Sequence, residues 1–190
     1  MKAVLAVYTF AVASIIGANA QPVPIDSAKS TLIIRVYKAG PFSVLGHDHE
    51  IAAPIASGSV DTTAHEVVLR IVASALQVRD PGISEKERAE IQNKMTGPEV
   101  LDAQPYREIV FESTEAEQAG PDKWNVRGNL TLHGEKHLIG VEVRQVNGYY
   151  VGSSRFKQSE FGIKPIRIAG GAVRVKDEVR VDFQIRVGTK

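Results

Sequence analysis

The feature that most constrains this chain is the alternation across Asp122–Val146, DKWNVRGNLTLHGEKHLIGVEVRQV. Trp124, Val126, Gly128, Leu130 and Leu132 share one face, and Asn125, Arg127, Asn129 and Thr131 the other, which is the two-residue period of a half-buried strand. Ile139, Val141 and Val143 then alternate with Gly140, Glu142 and Arg144 on a returning strand, so a turn is expected at Gly134-Glu135-Lys136. His133 and His137 bracket that turn. A hairpin with one apolar face cannot stand alone in water, so the rest of the chain must supply a sheet that covers it.

It does so with more of the same pattern. Ser30–Lys38 places Leu32, Ile34 and Val36 on one side. Ala56–Asp61 and Glu66–Ala73 read as two further strands, with Val67, Leu69 and Ile71 on a common face. Arg107–Gln118 resumes the sheet with Ile109 and Phe111 inward. Asn147-Gly148 is a strong two-residue turn signal leading into Tyr149–Lys157. Ala172–Lys176 and Val179–Val187 carry their apolar residues at odd positions. One segment breaks the pattern: Ser84–Met95 is rich in helix formers, with Ser84 as N-cap, Glu87 three residues on, and Gly97-Pro98 beyond it. Its few apolar side chains suit a helix lying across the mouth or side of a sheet.

The expected fold class is therefore all-β: an antiparallel, lipocalin-like barrel of about eight or nine strands with one amphipathic helix. Closure into a barrel removes exposed strand edges, and about eight strands leave an interior that either packs itself or holds one narrow ligand.

Residues 1–20 read as a secretory signal, with Lys2, an apolar run from Ala3 through Ile16, and Ala18-Asn19-Ala20 as cleavage site. An exported protein starting near Gln21 follows, periplasmic or secreted, with residues 21–190 forming a single domain. Of the 23 Lys and Arg, only Lys2 lies in the leader, leaving 22 against 22 Asp and Glu. That balance argues against a nucleic-acid partner, whose phosphates demand excess cationic charge. The chain has no cysteine, which removes disulfides, thiolate nucleophiles and thiolate metal sites. No Gly-x-Ser-x-Gly elbow, His-Glu-x-x-His helix or phosphate-cradling glycine loop is present, so no catalytic residues are assigned and an enzyme is not expected.

Three spaced blocks carry a family resemblance: Pro105–Ser113 (PYREIVFES), Val126–Gly134 (VRGNLTLHG) and Ser159–Ile163 (SEFGI). Together they resemble the YceI-like family of exported lipid-binding proteins, across most of Ile25–Val187. The resemblance implies a barrel whose apolar interior holds a polyisoprenoid chain, such as an isoprenoid quinone, for carriage or sequestration. The lining candidates are Leu32, Ile34, Val36, Phe42, Leu69, Ile71, Phe111, Trp124, Leu130, Leu132, Val141, Val143, Phe156, Val181 and Phe183. An ordinary packed core would use the same side chains, so the deciding question is whether they meet across the axis. The partner would be a small hydrophobic lipid, with at most transient membrane contact, and a homodimer is compatible with the sequence. Ser84–Met95 and the loop Ala39–Ala52 are the expected gates.

Two departures from the family pattern add imidazoles: His133-Gly134-Glu135-Lys136-His137 replaces a His-Gly-Val-Thr-Lys-Pro turn, and Gly46-His47-Asp48-His49-Glu50 replaces a less histidine-rich segment. His47, His49, His133 and His137 would together suit a divalent metal, Zn(II), Cu(II) or Ni(II), with Asp48 or Glu50 orienting a ring. The competing reading makes them polar turn residues bonded to loop backbone. His65, alone in a turn, is expected in solvent.

Overall fold

A computed structural model describes residues 21–40, 48–168 and 173–188. Residues 1–20, where a leader is expected, lie outside the described residues, as do Phe42 and His47. The strands are β1 (Val23–Pro24), β2 (Thr31–Ala39), β3 (His49–Ala52), β4 (Ile55–Asp61), β5 (Glu66–Val72), β6 (Gln77–Val78), β7 (Glu108–Gly120), β8 (Lys123–Leu132), β9 (Glu135–Val146), β10 (Tyr149–Lys157), β11 (Arg167–Ile168) and β12 (Val173–Arg186). One α-helix, α1 (Glu85–Thr96), separates β6 from β7.

All the pairings are antiparallel, in the order β1-β4-β5-β7-β8-β9-β10-β12-β2-β3-β6, with β11 beside β12. Because β1 and β2 follow one another in the chain, as do β3 and β4, the two ends of that order meet. Val23 pairs with Val60 at one end of the seam and Val36 with His49 at the other. On its far side the first segment pairs with β12, through Ile25 with Val187 and Leu32 with Phe183. The twelve segments thus resolve into eight long runs of strand closed on themselves, with β6 and β11 as short additions. Breaks within the runs, rather than extra strands, account for the higher segment count.

The central hairpin folds as its alternation demands, with one shift. The turn is His133-Gly134, both with positive φ (51° and 80°), so Glu135 and Lys136 pair with Leu132 and Thr131 inside β9. Two left-handed residues make the turn whose twist matches the flanking strands, and Gly134 supplies the second without steric cost. Asn147-Gly148 repeats the device (φ 50° and 76°).

The C-terminal alternation forms one fourteen-residue strand instead of two. Between Val175 and Val179 the register against β2 slips, four steps on β12 facing two on β2. The bulged residues hold the neighbouring turn: Gln158 donates its side-chain amide to the Lys176 carbonyl (2.8 Å), and Ser159 donates its N–H and hydroxyl to the Asp177 carboxylate (2.9 and 2.6 Å). A bulge in β7 near Ser113–Glu115 shifts the inward parity there, so Phe111 faces Leu130 while Ala116 faces Val126.

Helix α1 begins with a complete capping box: Ser84 Oγ accepts from Glu87 N (3.2 Å), and the Glu87 carboxylate accepts from Ser84 N (2.9 Å). Since it buries little beyond Met95, polar bonds fasten it. Gln92 accepts from Val78 N (2.9 Å) and donates to the Leu76 carbonyl (2.8 Å), while Arg88 donates to the carbonyls of Val78 and Asp80 (3.2 and 3.1 Å).

Candidate functional site

The inward side chains of the eight runs do not meet along the whole axis. They leave a cavity of about 410 Å³, within the roughly 300–1,000 Å³ typical of small-molecule sites. Ile34, Val36, Leu69, Phe111, Val141, Phe156, Val181 and Phe183 all point into it and are only half-buried, because they face this space instead of one another. Along β8 the lining runs from Trp124 to Leu132. Eight steps of strand cover about 27 Å, or about 20 Å along the axis once the strand tilt of a barrel is allowed for.

Two glycines help keep this space open. A Cβ on Gly128 would stand 2.4 Å from the ring of Phe111, and one on Gly152 would stand 2.6 Å from the ring of Phe183. Each ring lies over a bare stretch of wall on a neighbouring strand, which keeps its bulk out of the channel.

The two ends differ. At the α1 end the lining includes Leu76, Met95, Leu101 and Ile163, all buried, and the half-buried Val100, with Gln158 beside them. Phe161, fully buried, packs its ring edge-on against Phe156 (5.3 Å between centroids) and helps seal this end. At the opposite end the lining consists of Asp61, Thr62, His65 and Gln145, of which the last three are exposed, followed by Trp124 and Tyr150 in edge contact (6.2 Å). The mouth therefore opens beside the β4–β5 turn. The expected gate at Ser84–Met95 is instead a plug at the far end, held by the Gln92 and Arg88 bonds. Of the other expected gate, Ala39–Ala52, residues 41–47 lie outside the described residues.

Fourteen of the fifteen expected lining residues stand on the cavity wall: Leu32, Ile34, Val36, Leu69, Ile71, Phe111, Trp124, Leu130, Leu132, Val141, Val143, Phe156, Val181 and Phe183. Phe42 is the fifteenth. Val126, Ile139, Val179 and Ile185 were legible by the same parity and belong with them. The plug side chains Met95 and Leu101, and the rim at Thr62 and His65, come from helix and loops, where no period points inward. His65 is exposed as expected, yet it borders the mouth.

Of the four histidines expected to form a metal site, His47 lies outside the described residues. Among the described residues no three His, Cys, Asp or Glu side chains gather as a metal would require. His49 directs Nδ1 to the buried Asp80 carboxylate (2.6 Å), whose other oxygen accepts from Glu50 N (2.7 Å). His133 Nδ1 bonds the carbonyl of Phe161 (3.1 Å) and its ring tilts over Tyr106 (4.4 Å), while His137 lies edge-on to the Phe161 ring (5.0 Å). The hairpin histidines do converge, but on Phe161, from its backbone and its ring. They serve the plug.

Charge is kept outside. Arg35 bridges Glu50 and Asp182, and Arg180 also binds Asp182 (2.7 Å), in a half-exposed chain across β3, β2 and β12. Burial works to raise the Asp182 pKa, but hydrogen bonds from Arg180 and Arg35 outweigh it and hold the carboxyl below its ordinary value. The hydrogen bond to Glu50 chiefly, and that to Asp182, raise the Arg35 pKa above its ordinary value. A second hollow of about 580 Å³ borders this outer face and is lined largely by polar and charged side chains.

The family model for the YceI-like domain matches residues 24–187. UPF0312 proteins of Vibrio cholerae are 24% identical over 194 residues, covering 95% of this chain and 97% of theirs. Among solved structures, BcnA of Burkholderia cenocepacia superposes with a TM-score of 0.61 at 22% identity, over 87% of this chain and 99% of that one. A YceI protein mutant of Campylobacter jejuni gives 0.50 at 14% identity, over 74% and 82%. With the model spanning every one of the eight strand runs, the chain belongs to the YceI-like family.

Proposed function

We propose that this protein is an exported, non-enzymatic carrier or sequestering protein that holds one long isoprenoid lipid, a polyisoprenoid or isoprenoid quinone, along the barrel axis. The observation that carries this reading is the apolar cavity running from Trp124 to the α1 plug. Each methylene taken from water into such a space contributes about 0.8 kcal/mol, so a chain filling about 20 Å of channel recovers there the apolar burial it gives up on leaving a bilayer. The resemblance to exported lipid-binding proteins and the leader-like residues 1–20 support the same reading, with carriage in the periplasm or outside the cell.

Organic extraction of the purified protein followed by mass spectrometry tests it. About one molar equivalent of isoprenoid lipid is expected. Protein that arrives free of lipid and takes none up from isoprenoid-loaded vesicles would overturn the proposal. The metal reading gains no support from His49, His133 and His137, which are engaged by Asp80 or by Phe161.

A further inference from the structure

On the outside of the barrel, beside the Trp124–Tyr150 end of the channel, two cations stand together without a counter-charge. Trp124 and Val143 line the cavity, so their neighbours Lys123 and Arg144 point outward, and they pair directly across β8 and β9. Both are exposed. Like charges facing each other across two strands cost stability. On the adjoining wall cations are matched by glutamates, Arg70 by Glu108, Arg127 by Glu115 and Lys136 by Glu112. Lys123 and Arg144 form no ion pair among the described residues, although Asp122 and Glu142 are close by in the chain.

The next outward row toward the end of the barrel is apolar and aromatic. Val146 pairs with Tyr149, and Tyr149 with Arg186. Val146 is 40% exposed. Arg186 lies over the Tyr149 ring (5.2 Å) and donates to the carbonyls of Asn147 and Gly148 (3.2 and 2.9 Å), which fixes a third cation at the hairpin tip. Beside Arg144, the outward position on β10 is the half-buried Val151. Valine and tyrosine flanked by long cationic side chains suit a surface that meets lipid headgroups. The apolar groups enter the boundary, and the Lys and Arg stems lie along it with their charges on the anions.

We infer that this edge docks on a bilayer bearing anionic lipids, with Lys123 and Arg144 on the headgroups and Val146 and Tyr149 in the interface. The Trp124–Tyr150 end of the channel then stands at the membrane that supplies or receives the lipid. This rests on the carrier reading and adds to it the partner and the docking edge.

The chain has no cysteine, so one introduced cysteine can carry an environment-sensitive dye. Labelled Val146→Cys and Leu138→Cys are mixed with vesicles of phosphatidylcholine, alone or with phosphatidylglycerol added. Leu138 is the control, since it is 59% exposed on the same strand at the opposite end. The dye at 146 is expected to brighten severalfold on the phosphatidylglycerol vesicles, and to fade as salt is raised, while the dye at 138 stays unchanged. Lys123→Gln combined with Arg144→Gln removes the like-charge contact, so it is expected to fold no less stably. It should weaken vesicle binding at least about tenfold, the scale of two charges lost from a membrane surface, with its extracted lipid unchanged.

Equal responses of the two dyes, equal binding to the two kinds of vesicle, or undiminished binding by the double variant overturns the docking edge. Tighter attachment to polyglutamate than to the vesicles would mark a surface for an acidic protein and overturns it as well. Any of these results with lipid still extracted leaves the carrier reading standing. Protein empty of lipid that still docks through 146 overturns the carrier reading and supports the edge.

Discussion

At the scale of single residues the channel depends on what is missing from its wall. Gly128→Ala and Gly152→Ala would each drive a methyl into a phenylalanine ring and into backbone, the Glu112 carbonyl at 2.7 Å and the Glu142 carbonyl at 2.0 Å. Overpacking of this kind costs about 1–3 kcal/mol, so a lowered urea midpoint is expected for both. Val141→Trp and Leu69→Trp add bulk to the cavity side instead, where there is room. They are expected to cut lipid occupancy severalfold while the unfolding midpoint moves little; unchanged occupancy would mean the lipid lies elsewhere. Asp182 sets an acid limit. Its carboxyl titrates below the ordinary 3.8 in the folded protein, so it contributes stability at neutral pH that is lost as pH falls from about 4 through its lowered pKa. Asp182→Asn should therefore destabilise the protein at pH 7 and matter progressively less in urea titrations below pH 4. Among the residues, the wall was the legible part, because period-two parity declares which side chains point inward. The fates of the histidines were not legible: His49 meets Asp80 across thirty-one positions of chain, and no local pattern announces such a pair.

At the scale of elements, the helix and the turns behave differently. The turn at Asn147-Gly148 and the capping box at Ser84 are local chemistry and form where the sequence places them. The role of α1 is not local. A helix with one buried side chain, Met95, gains little from apolar packing, and its position follows from the Gln92 bonds to Val78 and Leu76. Gln92→Ala strands a partly buried N–H and C=O on the β6 side, at about 1–3 kcal/mol. Hydrogen exchange should then speed up in Glu85–Thr96 and β6 before the rest of the barrel; uniform protection would mean α1 is held by something else. The bulge in β12 makes the same point. Asp177-Glu178 reads as a break between two strands, and it becomes part of a bulge because Gln158 and Ser159, far along the chain, bind Lys176 and Asp177.

At the scale of the molecule, a closed sheet around an apolar channel stores part of its stability in whatever fills that channel. Ligand bound only to the folded state adds about 2.7 kcal/mol at a hundredfold excess over Kd. Delipidated protein should accordingly melt several degrees lower and regain its Tm on adding geranylgeraniol, whereas a Tm indifferent to lipid would speak against the channel as the binding site. The sequence by itself determined the strands, their inward faces and the class of fold, since alternation, turn glycines and caps act over a few residues at a time. Whether the inward faces meet or stand apart was decided only by the tertiary structure. That outcome depends on how eight runs tilt and close, on Phe111 and Phe183 lying over Gly128 and Gly152 of neighbouring strands, and on which end α1 plugs. Each of these is a contact between distant parts of the chain, and periodicity carries no information about distance across a barrel.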